Sequence, residues 1–186
     1  MRRIFFLIII LFPFICQGQA LKSFKQSSDK IDVILTDGTL SIYPVTENAL
    51  RIRFFKGIEM KVPELVFTSK VPVPQFKVSD SPSKLVISAK NISAQLDKQT
   101  GSLSFADNSG KIFLSEKVKT RILTPDSVMG QPCFVAEQAF DSPADEFIFG
   151  LGQFQDGNYN LRNITRRLTQ VNSQISIPFI YSSKGY

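Results

Sequence analysis

Histidine is absent from this 186-residue chain, tryptophan is absent too, and only two cysteines occur. Losing histidine removes the commonest general acid-base group and the commonest metal ligand. Cys-His nucleophilic catalysis and zinc hydrolysis are therefore excluded, and no residue pattern asks for a cofactor or a metal. A second scarcity is helical periodicity: beyond the first twenty residues no window of eleven or more repeats its apolar positions at helical spacing.

The one long apolar run lies at the start. Arg2 and Arg3 precede residues 4–15, all apolar, and the small-residue exit Gly18-Gln19-Ala20 follows. That charged, hydrophobic and cleavable order is the pattern of a secretory leader, and the run is too short for a bilayer span. Residues 1–20 are read as the signal peptide and 21–186 as one domain, which places the protein in the periplasm or outside the cell with no membrane span after cleavage. Acylation of Cys16 is the disfavoured alternative, because Phe14-Ile15 stand where a lipoprotein peptidase wants small residues. Cleavage leaves 20 basic against 16 acidic residues. They are interleaved, as on a solvated surface, so nucleic acid is not expected as a partner. Only Cys133 remains, so an intrachain disulfide is impossible; between Pro132 and Phe134 it reads as a small core residue. Stability must come from a hydrophobic core.

From Ile31 onward, short strands alternate with turn signals. They are expected at Ile31–Leu35, 39–45, Ala49–Phe55, Lys84–Ser88, Ile92–Asp97, 102–106, 111–115, 133–140 and 146–150, with Asp37-Gly38, the glycine of "DKQTG" and 108–110 as turns. In "ALRIRFF", Leu50, Ile52 and Phe54 alternate with Arg51 and Arg53, so those three apolar residues should face inward. Pro72 and Pro74 make "VPVPQF" a connector or an edge, and "PDSVMGQPC" reads as loop. The fold class is all-β, an antiparallel β-sandwich.

The end of the chain has a different texture. "FGLGQFQDGNYNLRN" gathers glycines, amides and aromatics, and "RRLTQVNSQISIPF" then leads into an apolar strand and the turn "SSKGY". These phrases, in that order, resemble the end of the N-terminal domain of glycoside hydrolase family 31. "ALRIRFF", "ISAQLDKQTGSLSF" and "SGKIFLSE" resemble its earlier strands, so the resemblance covers residues 31–186, nearest to bacterial secreted α-xylosidases and α-glucosidases. It implies a galactose-mutarotase-like sandwich packed on a catalytic (β/α)₈ barrel that follows in the same chain. It also implies that both catalytic aspartates belong to that barrel, that this chain stops before it, and that the chain alone is inactive. A retaining glycosidase needs two carboxyl groups about 5 to 5.5 Å apart. The tail carboxylates Asp141, Asp145, Glu146 and Asp156 do not sit in the family's catalytic motif.

Sugars offer paired hydroxyls and an apolar face, which planar amides, carboxylates and aromatic rings recognise. Gln155, Asp156, Gln170 and Asn172 are the candidate substrate-binding residues, facing an α-linked xylose or glucose oligosaccharide. Against that stands the reading that these amides satisfy loop backbone and that Phe154 and Tyr159 pack beneath it. Arg162, Arg166 and Arg167 are read as ion-pairing residues at a domain boundary. Three functions are weighed: the non-catalytic part of a secreted α-glycosidase, a stand-alone carbohydrate-binding module, and a mutarotase-like enzyme. The last lacks the histidine its ring-opening chemistry uses, and the second lacks the tryptophan common on exposed sugar platforms.

Overall fold

In the computed structural model of the chain, the described residues are 19–60, 63, 65 and 71–186. The leader, including Cys16, lies outside them except for Gln19 and Ala20. Thirteen strands and no helix occur among the described residues. β1 (Leu21–Gln26), β2 (Ile31–Leu35), β3 (Thr39–Thr46) and β4 (Ala49–Phe55) form one antiparallel meander in sequence order. β5 (Lys77–Asp80), β6 (Lys84–Ser88), β7 (Ile92–Asp97), β8 (Leu103–Asp107) and β9 (Ile112–Ser115) form a second.

The two sheets pack face to face, and strand periodicity explains how. Alternate residues point the same way, so Ile31, Val33 and Leu35 of β2 share one face. They meet Leu40 and Ile42 across the ladder, in the register Val33–Leu40 and Ile31–Ile42. The opposing sheet supplies Leu85, Ile87, Ala94, Leu96, Leu103 and Phe105, also in register as Leu85–Leu96, Ala94–Phe105 and Leu96–Leu103. These eleven residues form one buried cluster. Leu50, Ile52 and Phe54 pack against it as the alternation in β4 requires, yet stay partly exposed because β4 is an edge strand.

Two further ribbons stand outside the sandwich. β10 (Ile122–Val128) pairs with β11 (Gln131–Glu137), and β12 (Ile148–Gln153) with β13 (Ile175–Ser182). The first corrects the reading of "PDSVMGQPC" as loop. Met129 and Gly130, with φ of 50° and 77°, make a two-residue turn of the type that matches strand twist. Counting outward from the closing pair Val128–Gln131, both prolines fall in the alternate pairs, Ser127–Pro132 and Pro125–Phe134. Residues in those pairs exchange no ladder hydrogen bonds, so a missing donor costs nothing. Cys133 is a half-buried residue of this exposed hairpin and not a member of the core. The stretch 72–76 is a connector, as its prolines demand.

Candidate functional site

β12 carries the phrase Gly150-Leu151-Gly152, and all three residues have positive φ, at 113°, 62° and 102°. The ladder is irregular here: between the pairs Gly150–Ile180 and Gly152–Ser176, the single residue Leu151 stands opposite three residues of β13, so the bulge is on the β13 side. A Cβ at Gly150 would lie 2.4 Å from the Phe179 carbonyl oxygen, and one at Gly152 would lie 2.0 Å from that of Ile175. Only glycine fits either place. Leu151 holds a left-handed conformation between them, a strained arrangement for a branched residue that its neighbours enforce.

After β12 the chain leaves the ribbon for the polar loop 154–174 and re-enters as β13. The loop is stapled to β12 at its middle. Leu161 is buried and its N–H donates to the Ile148 carbonyl at 2.7 Å, while Asn160 Oδ1 accepts from the N–H groups of Ile148 and Arg162, both at 3.2 Å.

The structure places the four candidate residues at one end of the ribbon. Gln155 and Asp156 follow Gln153, which pairs with Ile175, and Gln170 and Asn172 precede Ile175. Their environments differ. Asp156 is held by Arg166, which donates from both terminal nitrogens, Nη2 to Oδ1 at 2.9 Å and Nη1 to Oδ2. The guanidinium lies 4.4 Å over the Phe154 ring. Arg166, with help from the Asn158 N–H, holds the Asp156 carboxyl well below the usual carboxylate range. Asp156 is thus an ionised partner of arginine. Gln170 is exposed, and its Oε1 accepts from the Ser176 N–H at 3.2 Å. Gln155 and Asn172 sit exposed on turns. A cleft of about 280 Å³ opens beside this group, lined by Gly150, Gly152, Phe154, Tyr159, Leu161 and Arg166 among others. The Arg166 side chain is only 10% exposed, and its Nε has no hydrogen-bond partner. A larger cleft, about 850 Å³, opens between Ser27, Phe76 and Lys90, and no residue of the tail lines it.

Glu146 is a hub that the sequence did not reveal. It is fully buried and accepts hydrogen bonds from Ser142 Oγ at 2.5 Å, Ser182 Oγ and Tyr186 OH. Burial alone would raise its pKa, but three hydroxyl donors and the charge of Arg162 hold it below the usual range. Burial, and then the hydrogen bond to Glu146, push the Tyr186 phenol up to about 12. Tyr186 also stacks on Phe113 of β9 with ring centroids 5.6 Å apart, which ties the ribbon to the sandwich. Arg162 donates to Ser142 Oγ at 2.7 Å, so it braces this hub instead of forming the expected ion pair. No spacing rule links Glu146 to residues 36 and 40 positions away. Among the described residues, no group of three His, Cys, Asp or Glu is placed to hold a metal.

One face of β13 is apolar and uncovered: Ile175, Ile177, Phe179 and Tyr181 are 48, 50, 63 and 51% exposed. Phe149 stacks on Tyr181 at 5.1 Å beside them.

No protein-family model matches the chain. An α-xylosidase of Saccharolobus solfataricus is 29% identical over 157 residues, which are 76% of this chain and 20% of that enzyme. The solved family 31 α-xylosidase of Xanthomonas citri superposes with a TM-score of 0.79 at 25% identity, over 86% of this chain and 18% of its own. A family 31 α-xylosidase from a soil metagenome, solved with xylose, gives 0.75 at 32% identity, over 88% and 27%. A family 31 dextranase of Flavobacterium johnsoniae shares the fold at 18% identity with a TM-score of 0.66. The chain spans about a fifth of the length of that Saccharolobus enzyme.

Proposed function

We propose, on the premise that this chain is a homologue of family 31 glycoside hydrolases over most of its length, that it forms the N-terminal, non-catalytic domain of a secreted α-glycosidase. In this reading the parent enzyme is an α-xylosidase or α-glucosidase that degrades α-linked oligosaccharides. The catalytic carboxylates lie in a barrel domain, and the β12–β13 ribbon packs on that barrel. The loop 153–172 then rims the sugar site.

One observation carries the proposal: β13 lines up four large apolar residues on one face, each about half exposed or more. A domain evolved to stand alone covers such a surface, so a free-standing carbohydrate-binding module is disfavoured. The loop beside it suits sugar in composition. Gln155, Gln170 and Asn172 offer planar amides, and Arg166 keeps Asp156 charged and oriented. Asp156 acts through that clamp more than through a free carboxylate, because both of its oxygens are engaged.

The test replaces the corresponding segment of the soil-metagenome α-xylosidase with this chain. The chimaera is expected to fold and to cleave an aryl α-xyloside, while the 186-residue chain alone shows no turnover. Asn172→Ala in the chimaera should lower kcat/KM by about 1 to 3 kcal/mol of transition-state binding. Turnover by the chain alone, or a chimaera whose barrel folds but no longer associates with the sandwich, would sink the proposal.

A further inference from the structure

We infer that the cleft between the sandwich and the β10–β11 hairpin binds a neutral sugar, one pentose or hexose ring, at a place separate from the loop 153–172. The cleft holds about 340 Å³, near the lower end of small-molecule sites. Ile52 and Phe54 of β4, Phe105 of β8, Arg121 just before β10 and Glu137 of β11 line it, with Phe140, 41% exposed, at the outer side. No lining residue lies beyond Phe140.

Arg121 sets the chemistry. Its side chain is 6% exposed, and Nε and Nη2 both donate to the Glu116 carboxylate, Nη2 to Oε2 at 2.6 Å. Nη2 also donates to the Gly101 carbonyl at 2.5 Å. Nη1 is buried and has no acceptor among the described residues. A buried donor left unpaired is costly, so the acceptor is to be sought in what the cleft holds. The ion pair is neutral as a unit, and Glu137 adds an exposed carboxylate, so an anion is repelled. A cation would meet the guanidinium. The fitting ligand is uncharged and carries acceptors for Nη1 together with donors for Glu137, while Gln138, also in the lining, serves either. Adjacent hydroxyls of a sugar do both, and the C–H face of its ring covers aromatic carbon.

The rings are in place before any ligand arrives. Phe54 is set between Gly38, where a Cβ would lie 2.7 Å from its ring carbons, and the Arg121 guanidinium, 5.4 Å from the ring centroid. Phe105 belongs to the buried core cluster. The Phe140 backbone is bridged to Glu116, so its ring alone need move for an acceptor to reach Nη1. A backbone segment of another domain would offer the same donors and acceptors. The small volume favours one compact ring over an extended segment.

The test follows backbone amide shifts of the isotope-labelled full chain during titration with xylose, with glucose and, as the charged control, with glucuronate. Xylose or glucose should shift amides within 116–123 and 136–140 and saturate in the millimolar range, with glucuronate weaker by about tenfold or more. Phe140→Ala and Glu137→Gln, both at exposed positions, should each weaken the sugar by about two- to tenfold and leave melting unchanged. Arg121→Lys keeps a charge opposite Glu116 but removes Nη1, and should abolish saturable binding; if that variant does not fold, the two exposed ones decide. Shifts confined to 153–172 would overturn the inference and support the role proposed for that loop. Shifts that do not saturate, or binding untouched by both exposed variants, would overturn it as well. In the chimaera with the α-xylosidase, amide protection at 136–140 together with loss of the sugar response would mean that a protein segment fills the cleft, which also overturns it.

Discussion

The sandwich and the two ribbons are made of the same kind of strand, and they end up in opposite environments. In β6 and β7, Leu85, Ile87, Ala94 and Leu96 alternate and all are buried to 0% exposure. In β13, Ile175, Ile177, Phe179 and Tyr181 also stand at every second position, yet they stay about half exposed. Alternation therefore tells which residues share a face, and only topology tells whether another layer covers it. The sandwich supplies its own second layer. The β12–β13 ribbon has none within the described residues and is held instead by a polar latch, Glu146 with Ser142, Ser182 and Tyr186.

The largest expected effect tests that division directly. Leu96→Ala should lower stability by about 2 to 5 kcal/mol in a urea titration, since it removes a fully buried side chain and leaves a cavity. Phe179→Ala in the same chain should change stability by less than about 0.5 kcal/mol, although the side chain is larger, because it loses little burial. Comparable losses for the two would mean that the ribbon is covered in solution, by a second copy or by the sandwich, and the comparison would fail.

The latch comes next. Glu146→Ala leaves two serine hydroxyls and the Tyr186 phenol without their acceptor and should cost about 1 to 3 kcal/mol. The effect should appear first as faster amide exchange in β13. Its pH dependence has a fixed sign. The folded pKa of Glu146 is depressed, so its contribution is present above the unfolded value of about 4.3 and disappears as pH falls through the lower folded value. The folded pKa of Tyr186 is raised, so its contribution is complete below about 10 and is lost as pH rises toward about 12. Glu146→Gln should flatten the acid limb and shrink the alkaline limb, because burial alone then holds the Tyr186 phenol up. An acid limb unchanged in Glu146→Gln would assign that titration to another carboxylate.

How much of this was legible depended on whether one segment carried its own signal. β2, β4, β6 and β7 match the sequence reading residue for residue, because apolar alternation and turn residues, a glycine or a Ser-Pro or Lys-Asn pair, lie within a few positions of each other. β1 and β5 were missed: LKSFKQ and KVSD bury almost nothing and are strands only because a neighbour offers an edge. The hairpin is half legible: a strand is expected at 133–140, overlapping β11, while β10 and the turn stay hidden because Pro125 and Pro132 look like strand breakers until the register puts them in the pairs that need no donor. At the candidate site the composition of the loop was readable, but its partnerships were not. Asp156 and Arg166 are ten residues apart, and Glu146 and Tyr186 forty. Such pairs form only after the loop has folded back on β12.

A smaller effect is expected at the clamp itself. Arg166→Gln should leave the urea midpoint of the sandwich unchanged, since neither partner belongs to the buried cluster between the two sheets. It should speed amide exchange through residues 154–160, where Asp156, Asn158 and Phe154 depend on it. Exchange there should in any case exceed that of Ile92–Asp97, and Leu161, which is buried and bonded to β12, should mark the boundary. Slow exchange throughout the loop in Arg166→Gln would show that the clamp positions nothing.

The smallest effect concerns the turn of the other ribbon, and it sharpens the contrast between local and global stability. Met129 sits at φ 50°, where an ordinary side chain meets its own backbone at a cost of about 1 kcal/mol, and asparagine tolerates that region far better. Met129→Asn should therefore stabilise the β10–β11 hairpin by about that amount. The tip is exposed and the hairpin lies outside the core, so it opens without unfolding the sandwich. The gain should then appear as slower amide exchange within Ile122–Val128 and Gln131–Glu137, with no shift in the global urea midpoint. Met129→Val, which resists positive φ more strongly, should speed exchange in the same two strands. If Met129→Asn instead raised the global midpoint, the hairpin would unfold together with the sandwich, and the ribbons would have to be counted as part of one cooperative unit.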